Sequence, residues 1–354
     1  EADRIDFVDA DRAIARHATY TTCRREDYPG WMPAWFLSAA NLRTDSEENI
    51  GTAENAQLTF MGISTPPIPS VSFPLSNERK SGFLPPTLGI DSINGLELAL
   101  PYYWNIAPNR DATFTPTVMS KRGINLSNEF RYLEKSYSGE LRLDYMPSDN
   151  LPESRRAEAV TEALENENYS RASQLMAGSV RRSRWGLWAR HRHSFNARDL
   201  GLDSLTANIN LNRVSDDDYW RDFNRTPTLI TRLLPNDASL NWSKGDWSGR
   251  VRTLSYQTLR YDASPIVPPY DRLPQLTANY AKYDWNGFDF TLGTDLTRFR
   301  ADVREQGQPN ADRAYALAQL SRPFITPGAY VIPKVQLHAA SYSFDAPLAD
   351  GRTS

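Results

Sequence analysis

The chain has 354 residues, of which 40% are hydrophobic, 11% aromatic and 23% charged, with a net charge of −3. Without a basic excess to neutralise phosphates, this balance argues against nucleic acid as a main partner. No run approaches the ~18 apolar residues of a spanning helix. A globular β protein and a transmembrane β-barrel both remain open, because a barrel hides its hydrophobicity by alternating lipid-facing and lumen-facing residues.

In chain order, the N-terminus "EADRIDFVDA" lacks the apolar core of a signal peptide. The expectation is a cytoplasmic protein, or one whose leader has been removed or is missing. Residues 1–80 read as short strands broken by turns, among them "WFLSAANLRTD" and "NAQLTFMGI". The Pro-rich "STPPIPSVSFPL" follows and runs into "SNERKSGFLPP"; proline at this density excludes a central strand, and the stretch reads as a connector or a stiff edge. A domain boundary is expected between Arg79 and Pro86.

From Ile93 onward period-two alternation dominates. "GINLSNEFRYL" and "GELRLDYMP" carry it, and "LTANINLNR" carries it most cleanly. In that last segment Leu205, Ala207, Ile209 and Leu211 alternate with Thr206, Asn208, Asn210 and Asn212. Each such segment has one apolar and one polar face, and many in series predict a meander. In a soluble sandwich the polar face lies outside; in a membrane barrel it lines a wet lumen. Small residues on the apolar faces (Ala112, Ala207, Ala339) suit lipid but would leave holes in a packed core. The residues alone leave the two architectures evenly balanced.

Within this pattern "LPYYWNIAPNRDATFTP" is anomalous, since Pro101 and Pro116 fall in what read as paired strands and proline has no N–H to give a neighbour. Residues 152–180, charged and rich in Ala and Glu, are expected to form a helical or mobile solvated insertion. "FDAPLADGRTS" ends the chain on turn-like residues with no closing strand, and the chain is expected to be incomplete at both ends.

Little in the sequence supports an active site. His191 and His193 share a strand face, but no cysteine or carboxylate sits at a supporting spacing, so they are expected to be a rim or surface pair and not a metal site. "SDDDYWRDF", Ser215 to Phe223, clusters acids without the spacing of an EF-hand and is expected to be a solvated loop. Cys23 is the single cysteine: either a buried free thiol, or a thiol whose partner lies outside this chain. No nucleophile elbow, phosphate loop or zinc-protease helix is present, and the reading is of a protein that is not an enzyme, with no cofactor and no metal. The aromatics Tyr102, Tyr103, Trp104, Tyr132, Tyr145, Trp185, Trp188, Trp242 and Trp247 fall near predicted strand ends, where barrels place their girdles; packing in a core is the alternative.

Several blocks, in order, resemble one family. "RKSGFLPP", "LPYYWNIAPNRDATFTP", "NEFRYL", "LDYMPSD" and "NRVSDDDYWRDF" are similar to the LptD (OstA/Imp) family of lipopolysaccharide-assembly proteins of the Gram-negative outer membrane. "TYTTC", "ENAQLTF" and "PPIPSVSFPL" resemble the end of that family's periplasmic domain. The resemblance implies an all-β chain: the end of a periplasmic β-jellyroll over residues 1–80, then antiparallel strands of a large, here unclosed, transmembrane β-barrel over 81–354. It implies lipopolysaccharide transport and insertion into the outer leaflet. The implied partners are an LptE-type plug lipoprotein, a periplasmic LptA-type jellyroll bridge and outer-membrane lipid.

By the same resemblance Pro101 and Pro116 belong to a lateral gate in the first strands, and Cys23 matches a cysteine whose disulfide partner lies outside this chain. Leu58, Phe60 and Ile63 are expected to line the acyl-chain route, and Asn208, Asn210, Asn212, Lys334, Gln336 and His338 the polar lumen. Strand parity from a periplasmic N-terminal domain would set the 152–180 insertion on the periplasmic side. A passive porin-like channel and a soluble carbohydrate-binding β-sandwich are the alternatives.

Overall fold

Wherever apolar and polar residues alternate over more than about eight positions, the backbone is extended and paired. The computed structural model describes residues 1–21, 23–24, 31–60, 62–76, 79–223, 232–260, 265–301, 307 and 309–354. They fall into two units, Glu1–Asn128 and Glu129–Ser354.

In the first unit β1 (Arg4–Phe7), β2 (Arg12–Tyr20), β3 (Trp35–Asp45), β4 (Ile50–Phe60) and β5 (Ile63–Ser64) follow one another as antiparallel neighbours, and β6 (Ile68–Pro74) returns to pair with β4. The buried side of this sheet is built from Ala18, Ala56 and Leu58. Gly51 lets the Phe73 ring close on the strand, since a Cβ there would stand 2.5 Å from that ring.

A second group of strands in this unit comprises β7 (Gly82–Phe83), β8 (Thr87–Asp91), β9 (Gly95–Ala99), β10 (Tyr102–Ala107) and β11 (Arg110–Met119). β7 pairs with β10, and β8 with β9. The stretch expected to be a connector or stiff edge thus carries β6 along β4, and from its end β7 and β8 make an antiparallel pass of their own before the first strands apparent in the sequence. On their other side β9 and β10 both pair with β11. β12 (Gly123–Leu133) carries the division between the units.

The second unit is a run of antiparallel neighbours. Its strands are β13 (Tyr137–Met146), β14 (Arg184–Ser194), β15 (Ser204–Val214), β16 (Leu233–Lys244), β17 (Trp247–Thr258), β18 (Asp271–Trp285), β19 (Phe288–Arg300) and β20 (Ala311–Ser321). A separate hairpin of β21 (Phe324–Thr326) and β22 (Ala329–Val331) precedes β23 (Lys334–Phe344), which pairs with β20. Among the described residues β23 has no partner beyond β20, so the ladder is open there. The insertion between β13 and β14 is helical: α1 (Leu151–Glu165), with Pro152 in its first turn, and α2 (Tyr169–Ala177), N-capped by the Asn168 side chain. A last helical turn, α3 (Tyr219–Asp222), lies between β15 and β16.

One glycine in this unit is set by a close approach. Tyr132 reaches past β13 so that its hydroxyl lies 2.6 Å from Nδ1 of His191 on β14. Gly139, paired with His191, leaves the space. A Cβ there would stand 2.5 Å from the Arg190 carbonyl oxygen and collide with the Tyr132 hydroxyl. Backbone cannot move aside as a side-chain tip can, so Gly139→Val is expected to cost at least the ~1–3 kcal/mol of an overpacked site. Tyr132→Phe should cost about 1 kcal/mol for the lost hydrogen bond. Urea midpoints of the two variants, measured in detergent micelles, check the order.

Candidate functional site

Cross-strand register decides which side of the second unit is which. On one face, successive partners across β15 to β20 are Ala207, Leu240, Val251, Leu276, Leu296 and Ala314. The four large residues of this row are 38%, 44%, 40% and 52% exposed. On the other face the neighbouring row runs Arg192, Asn208, Ser239, Arg252, Gln275, Thr297 and Arg313. That polar row is largely covered: Thr297 is buried and Asn208, Ser239, Arg252, Gln275 and Arg313 are half-buried. The polar side chains bond one another, Arg252 with Asp237, Gln275 with Asp295 at 2.6 Å, and Arg313 with Asp295 at 2.9 Å. A water-soluble sheet has the opposite sidedness. Rows of exposed leucine and valine against a hydrogen-bonded polar wall fit a surround of hydrocarbon and a wet interior.

The residues expected on the polar face are there. Asn208, Asn210 and Asn212 all lie on it, and Asn212 is buried, donating through Nδ2 to the Pro235 carbonyl at 2.5 Å and to Asn210 Oδ1 at 3.2 Å. Lys334, Gln336 and His338 are paired with Ser321, Gln319 and Leu317 and are exposed on the end strand β23. Gln336 donates to Gln319 at 2.7 Å and the His338 ring lies 5.0 Å from that of Tyr315.

In the first unit Leu58 is buried and Phe60, two residues on along β4, is half-buried. Ile63 pairs with Phe60, but its side chain lies outside the described residues. Cys23 is half-buried and has no disulfide. Its N–H donates to the Thr21 hydroxyl at 3.1 Å, and the same hydroxyl holds the thiol below its usual range.

The two prolines occupy related positions. Pro101 lies in the break between β9 and β10, not inside a strand as the sequence suggests, and Pro116 lies within β11. Tyr102 pairs with Phe114 and Ala99 with Thr117, so one register continues across the break and sets Leu100 opposite Pro116. The Leu100 N–H donates to the Pro116 carbonyl at 3.1 Å. Likewise the Leu84 N–H donates to the Pro101 carbonyl at 2.9 Å. In each pair the return bond is missing because proline has no donor. One gap falls on the β11 side of β9–β10 and the other on the β7 side.

The acidic segment is not the solvated loop the sequence suggests. Arg184, at the start of β14 and 1% exposed, donates from Nη1 to Asp149 at 3.0 Å and to Asp222 at 2.7 Å, and from Nη2 to Asp216 at 2.6 Å. The Asp149 and Asp222 side chains are fully buried. Arg155 of α1 adds a fork onto Asp222 at 2.9 and 2.5 Å, so the helical insertion is tied to the strands and is not merely solvated. Tyr219, 1% exposed, packs with Trp188, Val214, Leu234 and Leu259, and burial pushes its hydroxyl pKa up. Trp188 is therefore interior and does not belong to an aromatic girdle; charge stacking from Arg142, 5.6 Å from its ring, completes its surroundings.

Tyr145 and Trp247, both exposed, lie on the outward face. His191 and His193 also point to that face, among the rings of Tyr132, Tyr137 and Phe195. No group of three or more metal-ligating side chains occurs among the described residues.

The family model described as "LptD protein" matches residues 52–260, and that described as "LPS transport system D" matches residues 182–354. The chain belongs to the LptD family. Its curated relatives include LPS-assembly protein LptD of Albidiferax ferrireducens, 49% identical over 99% of this chain and 41% of the relative. The LptD of Acidovorax sp. strain JS42 is 47% identical over 99% of this chain and 40% of its own length. The LptD of Paracidovorax citrulli is 47% identical over 98% of this chain and 40% of its own length. The chain thus spans about two-fifths of the length of these LptD relatives. Superposition on the crystal structure of Pseudomonas aeruginosa OccK5 (OpdH) gives a TM-score of 0.30 at 9% identity, over 96% of this chain and 94% of that one.

Proposed function

We propose that this chain is the part of a lipopolysaccharide-assembly protein in which a periplasmic domain joins the outer-membrane barrel. The inverted sidedness of the second unit carries the reading: exposed apolar rows meet lipid and the polar wall faces a lumen. Lipopolysaccharide needs both surfaces at once, because its acyl chains are insoluble in water and its sugar–phosphate head is insoluble in hydrocarbon. Residues 1–80 are the end of the jellyroll, with Leu58, Phe60 and Ile63 along the acyl route. Residues 81–354 are barrel strands whose Asn208, Asn210, Asn212, Lys334, Gln336 and His338 line the head-group route. An LptE-type lipoprotein fills the lumen, an LptA-type jellyroll bridge delivers the cargo, and Cys23 pairs with a cysteine outside this chain.

Turn lengths support a sidedness opposite to the sequence count. In the second unit β16–β17 and β18–β19 are joined by two residues each, while residues 147–183, 215–232 and 259–270 connect strands at the other end. Bacterial barrels keep short turns in the periplasm and long loops outside. On this reading the helical insertion and the Arg184 cluster are extracellular, and the pass of β7 and β8 is one strand more than the sequence count includes.

A soluble carbohydrate-binding sandwich is disfavoured by the exposed leucine rows, and a porin-like channel by the jellyroll sheet it would not use. Photo-crosslinking to lipopolysaccharide in cells, with the full-length protein carrying a photoreactive residue at Phe60 or beside Pro101, is expected to give adducts at both places. A fully expressed protein with no adduct at either place would rule out transport.

A further inference from the structure

The connection between β20 and β23 differs from its neighbours at the same end of the second unit. Where the β16–β17 and β18–β19 connections are two residues long, residues 322–333 form a hairpin, β21 with β22, in a sheet of its own. Phe324, Ile325, Tyr330 and Val331 are between 51% and 75% exposed. Phe324 pairs with Val331 and Ile325 with Tyr330. Alternation puts the first pair on one face and the second on the other, so neither face is polar. A hairpin seated on a protein keeps one dry and one wet face; this one suits a medium that is apolar all round. Pro323, Pro327 and Pro333 remove ladder donors and keep it from adding to another sheet edge.

Its root continues the outward apolar face. Phe288 shares a face of β19 with Leu296, and Leu320 pairs with Val335, both exposed. The Arg322 guanidinium stands 5.0 Å from the Phe288 ring centre and 5.1 Å from that of Phe324, so the hairpin leaves the strands on the same outward side. Arg322 is exposed at its root on the outward side, Lys334 at its other end lies on the polar face, and "RPFITPGAYVIPK" holds no acid. A cation on the outward side at the root of an apolar loop that includes a tyrosine matches the boundary between anionic lipid phosphates and acyl chains. We infer that the Phe324–Ile332 hairpin is an interfacial lipid anchor. It buries its apolar residues in the phospholipid leaflet at the short-turn end and sets Arg322 against the phosphates. The inference rests on the reading of this unit as membrane-spanning.

The test uses the full-length protein in vesicles of phosphatidylethanolamine with a minority of phosphatidylglycerol. A benzophenone amino acid is placed in turn at Ile325, Tyr330, Leu296 and Asn208, and adducts are identified by mass. Phospholipid adducts at Ile325 and Tyr330 are expected to match the yield at Leu296 and to exceed that at Asn208 several-fold. Arg322→Glu should lower the Ile325 yield several-fold and leave the Leu296 yield unchanged; an equal yield at Ile325 would remove the cation from the anchor. Lipid at Leu296 with only protein adducts, or none, at the hairpin overturns the anchor and leaves the barrel reading standing. Absence of lipid at Leu296 overturns the barrel reading itself.

Discussion

Arg184→Leu in the full-length protein is expected to destabilise the second unit by about 3–5 kcal/mol, the cost of removing one partner from a buried ion pair. The reason is what stays behind. Asp149 and Asp222 have no exposed side-chain surface, and each loses a bond of 3.0 Å or less to the guanidinium. A leucine fills part of the volume but offers neither carboxylate a proton or a charge. Arg184→Lys keeps the charge at a single point and cannot serve three carboxylates in three directions, so it should recover only part of the loss. Asp216→Asn should cost less than either, since Asp216 is 29% exposed and water can replace its partner.

Loss of the heat-resistant folded form on gels, followed against temperature, measures the order of the three variants. A second readout is local. In Arg184→Leu the Arg155 fork still holds α1 to Asp222, but Asp222 is no longer fixed to β14 through Arg184, so the insertion should loosen and protease cleavage within residues 151–180 should accelerate. An Arg184→Leu protein as heat-stable and protease-resistant as the parent would show that the cluster bears no load.

That cluster was also the least legible part of the sequence. Strand positions could be read because alternation is local: Asn208, Asn210 and Asn212 declare a face by themselves. Arg184 meets Asp149 and Asp222 across 35 and 38 residues, and no period joins them. The acids of "SDDDYWRDF" carry the signature of a solvated loop, and only the aromatic content, Tyr219, Trp220 and Phe223, hinted at an interior. Trp188 misled for a related reason. Proximity to a strand end says nothing about the face, and Trp188 takes the polar face opposite Leu187.

The extra pass of β7 and β8 was hidden by Pro85 and Pro86, whose missing donors interrupt the strand without ending it. Sidedness could not be read from alternation; the resemblance to the family is what implied a barrel. The same alternation serves a core or a lumen, and only accessibility across a whole row of partners separates them.

Those interruptions bear on the last expectation, that Pro101→Ala combined with Pro116→Ala slows lipopolysaccharide export. Pro116 faces Leu100 and Pro101 faces Leu84, and in each pair one carbonyl already accepts a bond. Alanine supplies the N–H that completes the pair. Each completed bond adds about 1 kcal/mol net, and the substituted residues are free to take the φ of the strand. The gain falls on both sides of β9–β10, so that strand is held more tightly to β11 and to β7 together.

If the first strands must part for an acyl chain to leave sideways, a seam tighter by about 2 kcal/mol opens roughly thirty-fold less often. Either single variant should show an intermediate effect, because the two bonds lie on different ladders. Newly made lipopolysaccharide reaching the cell surface, measured by pulse labelling at matched protein levels, gives the rate. A double variant that exports at the parental rate, while its barrel resists heat better than the parent, would leave the prolines as an aid to folding and take them out of transport.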